Sequence, residues 1–277
     1  MNKSNLIQII PDQDGKEAVM VRADKTLKEI IEEKPFSRFD VGYWHPNYEK
    51  IYKLLNRYNP KTIRELEGDY CVISGDHVRP SRGESKGYNL GTRIEYYETK
   101  GFLTTAYDYS KIKECSANAY ERLKETRVYQ GDILISCAGV GGVGKAKMCI
   151  VAHKPKQKSC TGDVFILRLK KLDSYYCYVF LNSVFGKNQI LRQQAGVGTV
   201  NINTEQTLSL LIPELDIQRN VAHEYSKIIK IHDKAMEAKK NGDDVGYKKN
   251  IEIAENMLKD LIARTEAVIR GERDDVI

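Results

Sequence analysis

The chain has 277 residues, 41% of them hydrophobic and 30% charged, and a formal net charge of +6. That length holds one large domain or a domain with an appendage, and the composition is ordinary for a soluble globular protein. No apolar run approaches the roughly 18–20 residues that a membrane-spanning helix needs, and the stretch before Pro11 is too short for a secretory signal, so a cytoplasmic location is expected.

In chain order, the first 35 residues read as a short strand or loop at Ala18–Arg22 and a helix at Thr26–Glu33 ended by Pro35. Trp44, the lone tryptophan, is expected to be a packing anchor. Pro46 suits the first turn of a helix that carries Tyr48, Ile51, Tyr52, Leu55 and Tyr58 on one face and stops at Pro60. Between Ile63 and Pro213 the pattern becomes short β-like runs punctuated by glycine: Tyr70–Ser74, Gly101–Thr105, Asp132–Ser136, Met148–Val151 and Val164–Leu169. One helical stretch from Tyr175 to Gln194 interrupts them. A glycine-bearing loop, QAGVGTVNIN, then leads into LSLLIP, which reads as a strand.

After Pro213 the periodicity turns helical. Asp216–Lys240 places Val221, Tyr225, Ile228, His232 and Ala235 at alternating spacings of four and three. Past the turn KNGDDVG, a second helix repeats the pattern at Ile251, Ala254, Leu258, Leu261, Thr265 and Val268, which is heptad spacing. These helices pair as an antiparallel hairpin, and two uses of the seam stay open: an assembly surface meeting another chain, or a hairpin folded back on its own domain. As an assembly seam it would use Val221, Tyr225, Ile228, Ile251, Leu258, Leu261 and Val268. His232 on that seam reads as a tolerated polar core residue. The fold class expected is α+β: a mixed α/β domain with short strands and long loops, followed by a coiled-coil-like helical hairpin. The expected divisions are residues 1–60, 61–213 and 214–271, with a frayed tail over 272–277.

Charge is unevenly placed. Residues 75–160 hold 15 Lys and Arg against 9 Asp and Glu, the whole excess of the chain, together with seven tyrosines. Basic side chains release counterions from a phosphate backbone and tyrosines stack or hydrogen-bond beside it; a solvated, mildly basic surface is the plainer alternative. The loops expected to reach a duplex are Arg79–Arg93 (with Arg79, Arg82, Lys86 and Arg93), Tyr107–Lys113 (Tyr107, Tyr109, Lys111 and Lys113), Gly139–Lys147 and Gly196–Asn203. Arginines can read guanine or clamp phosphate, and Asn201 and Asn203 can read adenine, with Thr199 beside them.

Gly139, Gly144 and Lys145 fit the G-x-x-x-x-G-K part of a nucleotide-binding loop. Ala146, however, stands where the metal-binding Ser or Thr belongs, and the residues after it are β-forming and end at Pro155 rather than opening a helix. The better reading is strand, glycine turn, strand over Asp132–Ala152, with Lys145 and Lys147 adding charge and the glycine amides offered to a phosphate. The six cysteines (Cys71, Cys115, Cys137, Cys149, Cys160 and Cys177) contain no C-x-x-C pair and are expected to be buried free thiols. The five histidines lack metal-site spacing, so no metal is expected. The acids of PDQDGKE are too close together for a nuclease P-D…E-x-K.

Several stretches together resemble the specificity (S) subunit of type I restriction-modification systems. They are Arg38-Phe39-Asp40 through Pro46-Asn47-Tyr48; Gly131-Asp132-Ile133-Leu134-Ile135-Ser136 with its glycine turn and Gly144-Lys145; Leu181-Asn182-Ser183 through Gln189-Ile190; Gly196 to Asn203; Ile212-Pro213 to Gln218; and Ile269-Arg270-Gly271-Glu272. The family carries two target recognition domains alternating with two helical regions, whereas this chain has one of each and resembles a half subunit. Glu214 stands where a second proline is common, and Cys137 where a larger or basic residue is frequent. The resemblance implies a non-catalytic DNA-recognition subunit of a restriction-modification system, with a methyltransferase (M) subunit, a restriction (R) subunit and double-stranded DNA as partners, and pairing of two copies through the helices as a further possibility. S-adenosylmethionine, ATP and Mg would then belong to the partner subunits. The absence of a D/N-P-P-Y/F tetrapeptide and of a glycine-rich S-adenosylmethionine fingerprint agrees. The alternatives are the recognition module of a fused type II-like methyltransferase system, an anti-restriction decoy, an RNA binder, and a nucleotide-binding enzyme.

Overall fold

The computed structural model describes residues 7–11, 17–21, 43, 46–75, 94–111, 113–115, 124–155, 158–194 and 200–277. It divides into two compact units, 1–57 and 58–277. In the first, strand β1 (Ile7–Pro11) pairs antiparallel with β2 (Glu17–Val21), and helix α1 (Pro46–Leu55) starts at its proline as expected. The helix expected at Thr26–Glu33 and Trp44 lie outside the described residues.

The second unit begins with the two-residue strand β3 (Lys61–Thr62) and helix α2 (Ile63–Glu67). Thr62 and Glu65 form a reciprocal capping box: the Glu65 amide donates to Thr62 Oγ1 and the Thr62 amide to Glu65 Oε2. Its central layer is an antiparallel sheet in the order β4 (Val72–Ser74), β10 (Val164–Leu167), β7 (Ile133–Ser136), β8 (Met148–Ile150). Every residue of β7, β8 and β10 is buried. Antiparallel sheets with one wet face alternate in hydropathy, so the unbroken runs ILIS, MCI and VFIL mean that both faces are covered.

On one face Leu134, Cys149, Val164 and Ile166 join Tyr97, Phe102, Tyr107 and Cys160 in a hydrophobic cluster. Tyr97 and Cys160 belong to a second sheet, β6 (Lys113–Cys115), β5 (Ile94–Tyr97), β9 (Lys158–Cys160), in which β5 and β9 run parallel. Helix α3 (Ser174–Asn182) packs against β8. The helical stretch expected from Tyr175 to Gln194 is broken at Ser183, which is extended and caps α4 (Val184–Gln193) by accepting from the Gly186 amide. Gly101–Thr105, expected as a strand, is instead a tight loop closed by the isolated bridge Phe102–Tyr107. Helix α5 (Thr204–Leu208) and β11 (Leu211–Ile212), which pairs with β3, complete this part.

Helices α6 (Gln218–Lys240) and α7 (Asp244–Arg270) form the expected hairpin. The boundary expected at 213 does not separate compact bodies, because α6 and α7 pack on each other and both pack on α3. Tyr225, for example, stacks against Tyr175 and meets Tyr178 edge-on. The tail is not frayed: Val276 is fully buried, Asn220 Nδ2 donates to Asp275 Oδ2 at 2.5 Å, and Arg264 donates to the Val276 carbonyl. Gly271 in the left-handed conformation caps α7 and allows this return.

The five described cysteines carry no disulfide and are buried. Burial pushes the Cys71 and Cys137 thiols up to about 11, away from nucleophilic use. Among the described residues no helix is long and apolar enough to cross a membrane, and no cluster of His, Cys, Asp and Glu could hold a metal ion.

Candidate nucleic-acid interface

The glycine stretch is a hairpin between β7 and β8, as the sequence predicts, with register Leu134–Cys149. Its tip is a short 3-10 turn at Val143–Lys145 that ends at Ala146 in the left-handed conformation. No helix opens here, so the nucleotide-loop geometry is absent.

The glycine amides serve the loop itself. Gly139 donates to the Val200 carbonyl (2.9 Å), Gly142 and Gly144 to Gly139 (3.1 and 3.2 Å), and the Lys145 and Lys147 amides to Gly142 (3.0 Å each). The expectation that Gly139–Gly144 offers these amides to a phosphate is therefore corrected for Gly139, Gly142 and Gly144. Gly142 is required sterically, since a Cβ there would stand 2.0 Å from Ser136 Oγ. Gly139 adopts φ +84, which favours glycine.

Two of the four candidate loops come together. Asn201 bridges Ala138, the Ile202 amide donates to the Cys137 carbonyl (3.0 Å), and Gln194 Nε2 donates to the Val143 carbonyl (2.6 Å). The hairpin tip and residues 200–203 thus form one surface. On it Lys145 and Asn201 are exposed, and neither side chain has a partner among the described residues; Val140 is exposed beside them. Asn203 is exposed too, but its Oδ1 caps α5 by accepting from the Gln206 amide (2.8 Å), while the Asn203 amide donates to Gln206 Oε1 (2.8 Å). The cap thus engages one lone pair of that oxygen and fixes the carboxamide's orientation. The N-x-x-Q capping spacing could have flagged this from sequence.

Lys147 is also corrected: its Nζ donates to the Thr99 carbonyl at 2.9 Å, which anchors the neighbouring segment rather than facing outward. In that segment Tyr107 is fully buried, meets Tyr97 edge-on at 4.4 Å between ring centroids, and its hydroxyl accepts from the Glu98 amide. Burial raises its pKa. It is a core residue and cannot stack on a nucleic acid. Tyr109 packs against Tyr107 and near His153, with burial raising its hydroxyl pKa. Lys111 is exposed. Arg79, Arg82, Lys86, Arg93 and Thr199 lie outside the described residues, as does the side chain of Lys113.

The seven expected assembly residues are corrected as well. Val221, Tyr225, Ile228, Leu258, Leu261 and Val268 are buried by their own chain, and Ile251 is half-buried. The seam is spent internally, and the side chains that face outward on α7 include Lys249, Glu252, Ile253, Asn256, Lys259 and Asp260.

No protein-family model matches the sequence, and no curated protein matches it. Among the solved structures to which the chain is similar are two. One is the S subunit of a type I restriction-modification system from M. genitalium, at TM-score 0.42 and 15% identity, covering 65% of this chain and 40% of that one. The other comes from work on complex assembly and conformational transition of the type I restriction-modification system, at TM-score 0.41 and 13% identity, covering 82% of this chain and 54% of that one. The chain thus spans about half or less of the length of the proteins it matches.

Proposed function

We propose that this chain is the DNA sequence-recognition subunit of a type I-like restriction-modification complex, binding a duplex half-site and docking a methyltransferase and a restriction subunit. The reading rests on the juxtaposition of the β7–β8 hairpin tip with residues 200–203, two stretches separated in sequence and both belonging to the motif set of the S-subunit resemblance. That surface offers the groups duplex recognition needs: an exposed ammonium at Lys145 for phosphate and an exposed carboxamide at Asn201 for a base edge, neither with a partner among the described residues.

The chemistry stays with the partners. Every described cysteine is buried, and the described polar side chains of the tip include Lys145, Lys147, Asn201 and Asn203. Docking falls to the outward face of α7, because the inner seam is filled. A pair of copies would likewise have to meet through outward faces.

The test is affinity for duplex oligonucleotides in the presence of the cognate methyltransferase subunit, followed by methylome sequencing of cells carrying the pair. Lys145→Ala should weaken binding and lower the slope of log K against log salt by about one unit, the share of a single phosphate contact. Adding Lys147→Ala should not lower it by a second unit, because that ammonium is held by Thr99. Unchanged affinity together with an unchanged slope for Lys145→Ala would remove the hairpin tip from the interface.

A further inference from the structure

Helix α6 meets the segment Gly101–Lys111 through three polar side chains spaced seven residues apart. Tyr225 donates its hydroxyl to the Thr105 carbonyl. His232 places Nδ1 2.8 Å from Thr105 Oγ1 and Nε2 3.2 Å from the Tyr107 carbonyl. Lys239 Nζ lies 2.6 Å from Asp108 Oδ2. A carbonyl can only accept, so Nε2 carries a ring proton, and with burial disfavouring the imidazolium Nδ1 accepts from the Thr105 hydroxyl. The imidazole is then neutral, in keeping with a burial that lowers its pKa.

Seven residues are two helical turns, so the three side chains form one stripe along α6. Tyr225, His232 and Thr105 are fully buried and Asp108 nearly so. Aliphatic side chains would pack this seam as well or better, because buried polar pairs add little to stability over a well-packed apolar contact. What polar pairs add is register. Sliding α6 by one turn would leave buried hydroxyl, imidazole and carboxylate groups unpaired together, which is heavily penalised. A single polar group on a helical seam is known to set register in this way.

The locked segment leads straight into the candidate interface. It is also tied to helix α3 by the Tyr178 hydroxyl on the Thr104 carbonyl (2.6 Å), and to the glycine hairpin by Lys147 on Thr99. An unbroken chain of bonds thus runs from α6 through residues 99–108 to the hairpin that bears Lys145. Just past that run Lys111 is exposed.

We infer that Tyr225, His232 and Lys239 form a register lock that couples the helical hairpin to the nucleic-acid face, acting as positioning residues for duplex binding and not as duplex ligands. The coupling to DNA rests on the proposed function above; the lock itself does not.

The test uses the full chain with Lys239→Ala, Lys239→Arg and His232→Leu, read by amide hydrogen exchange and by titration with a mixed-sequence duplex oligonucleotide. Lys239→Ala should speed exchange of the Asp108 and Lys111 amides about tenfold while leaving the Ser136 and Val151 amides of the hairpin unchanged. It should weaken duplex binding several-fold with no change in salt slope, and Lys239→Arg should restore both. Protection over 103–111 unchanged in both Lys239→Ala and His232→Leu overturns the lock. A loosened segment with unchanged duplex affinity overturns the coupling, as does a salt slope lower by one unit, which would make Lys239 a phosphate ligand. If His232→Leu fails to fold, the partly exposed Lys239 carries the test alone. If the wild-type chain ignores duplex, the recognition reading falls and exchange alone decides the lock.

Discussion

Arg168 reaches Asp132 as a fork, with Nε 2.9 Å from one carboxylate oxygen and Nη2 2.8 Å from the other, while Nη2 also donates to the Arg127 carbonyl. The guanidinium lies 4.4 Å from the centroid of the Tyr129 ring. Asp132 is 2% exposed, and its burial pushes the carboxyl pKa up against the pull of Arg168 and the Tyr129 amide. Removing one partner strands the other, so Arg168→Ala should cost about 3 kcal/mol in urea denaturation. Arg168→Lys should recover only part of that, since an ammonium cannot reproduce the fork. The G-D-I-L motif marks Asp132 in the sequence; its partner, 36 residues further on, is set by the pairing of β7 with β10 and is not legible there. His232 makes a second residue-level claim. Its folded pKa lies below the ordinary 6.5, so the unfolded chain binds the proton more readily. The stability contributed by its neutral form is therefore complete above pH 6.5 and lost as pH falls from there towards the folded pKa. The difference in unfolding free energy between wild type and His232→Gln should shrink from about pH 7.5 to about pH 5.5, either side of the ordinary histidine pKa. A constant difference would show that the imidazole is not held neutral.

At the scale of elements, the break between α3 and α4 is decided by Ser183 and Gly186. Ser183 turns the chain out of the helix and caps the next one, and Gly186 lets the new helix start against the end of the old. A Cβ on Gly186 would stand 2.3 Å from Leu181 Cα and 2.5 Å from the Phe180 carbonyl oxygen, both backbone atoms with nowhere to go. Gly186→Ala should thus destabilise the unit by about 1–3 kcal/mol despite the better helix propensity of alanine, measured as a lowered thermal midpoint. An unchanged or raised midpoint would mean that the two helices can part. The apolar runs of β7, β8 and β10 were legible because each is bounded by glycine or turn residues and long enough to be buried on both faces. The loop around Gly101–Thr105 was not, because the groups that shape it are remote: the Tyr178 and Tyr225 hydroxyls fix its carbonyls from 74 and 120 residues away. The candidate site was legible to the same degree. The hairpin tip and its lysines could be seen in the glycine spacing, whereas the fate of Lys147 depended on Thr99, 48 residues distant.

For the whole molecule, the heptad spacing of α6 and α7 announced a seam but not its filling. The filling is α3, whose residues Tyr176 through Asn182 are all buried. Tyr176 donates to the Pro213 carbonyl at 2.5 Å, next to the loop that begins α6, and β11 pairs with β3 at the far end of the same unit. A helix covered on all sides has no wet face to present when its neighbours are removed. Residues 58–213 alone would expose the aromatic rings that Tyr225 and its neighbours now cover, as well as the unpaired carbonyls of Thr105 and Tyr107. That fragment should therefore lack a cooperative unfolding transition and aggregate, although it holds every strand of the central sheet. Residues 58–277 should unfold in a single step, with the slowest amides of β7 and of α6 exchanging at the same free energy. If the fragment unfolds cooperatively with near-native exchange in β7, the helical hairpin is an appendage and motions of its helices have no route to the hairpin tip. If it does not, any partner that shifts α6 acts on the same cooperative body that presents Lys145 and Asn201.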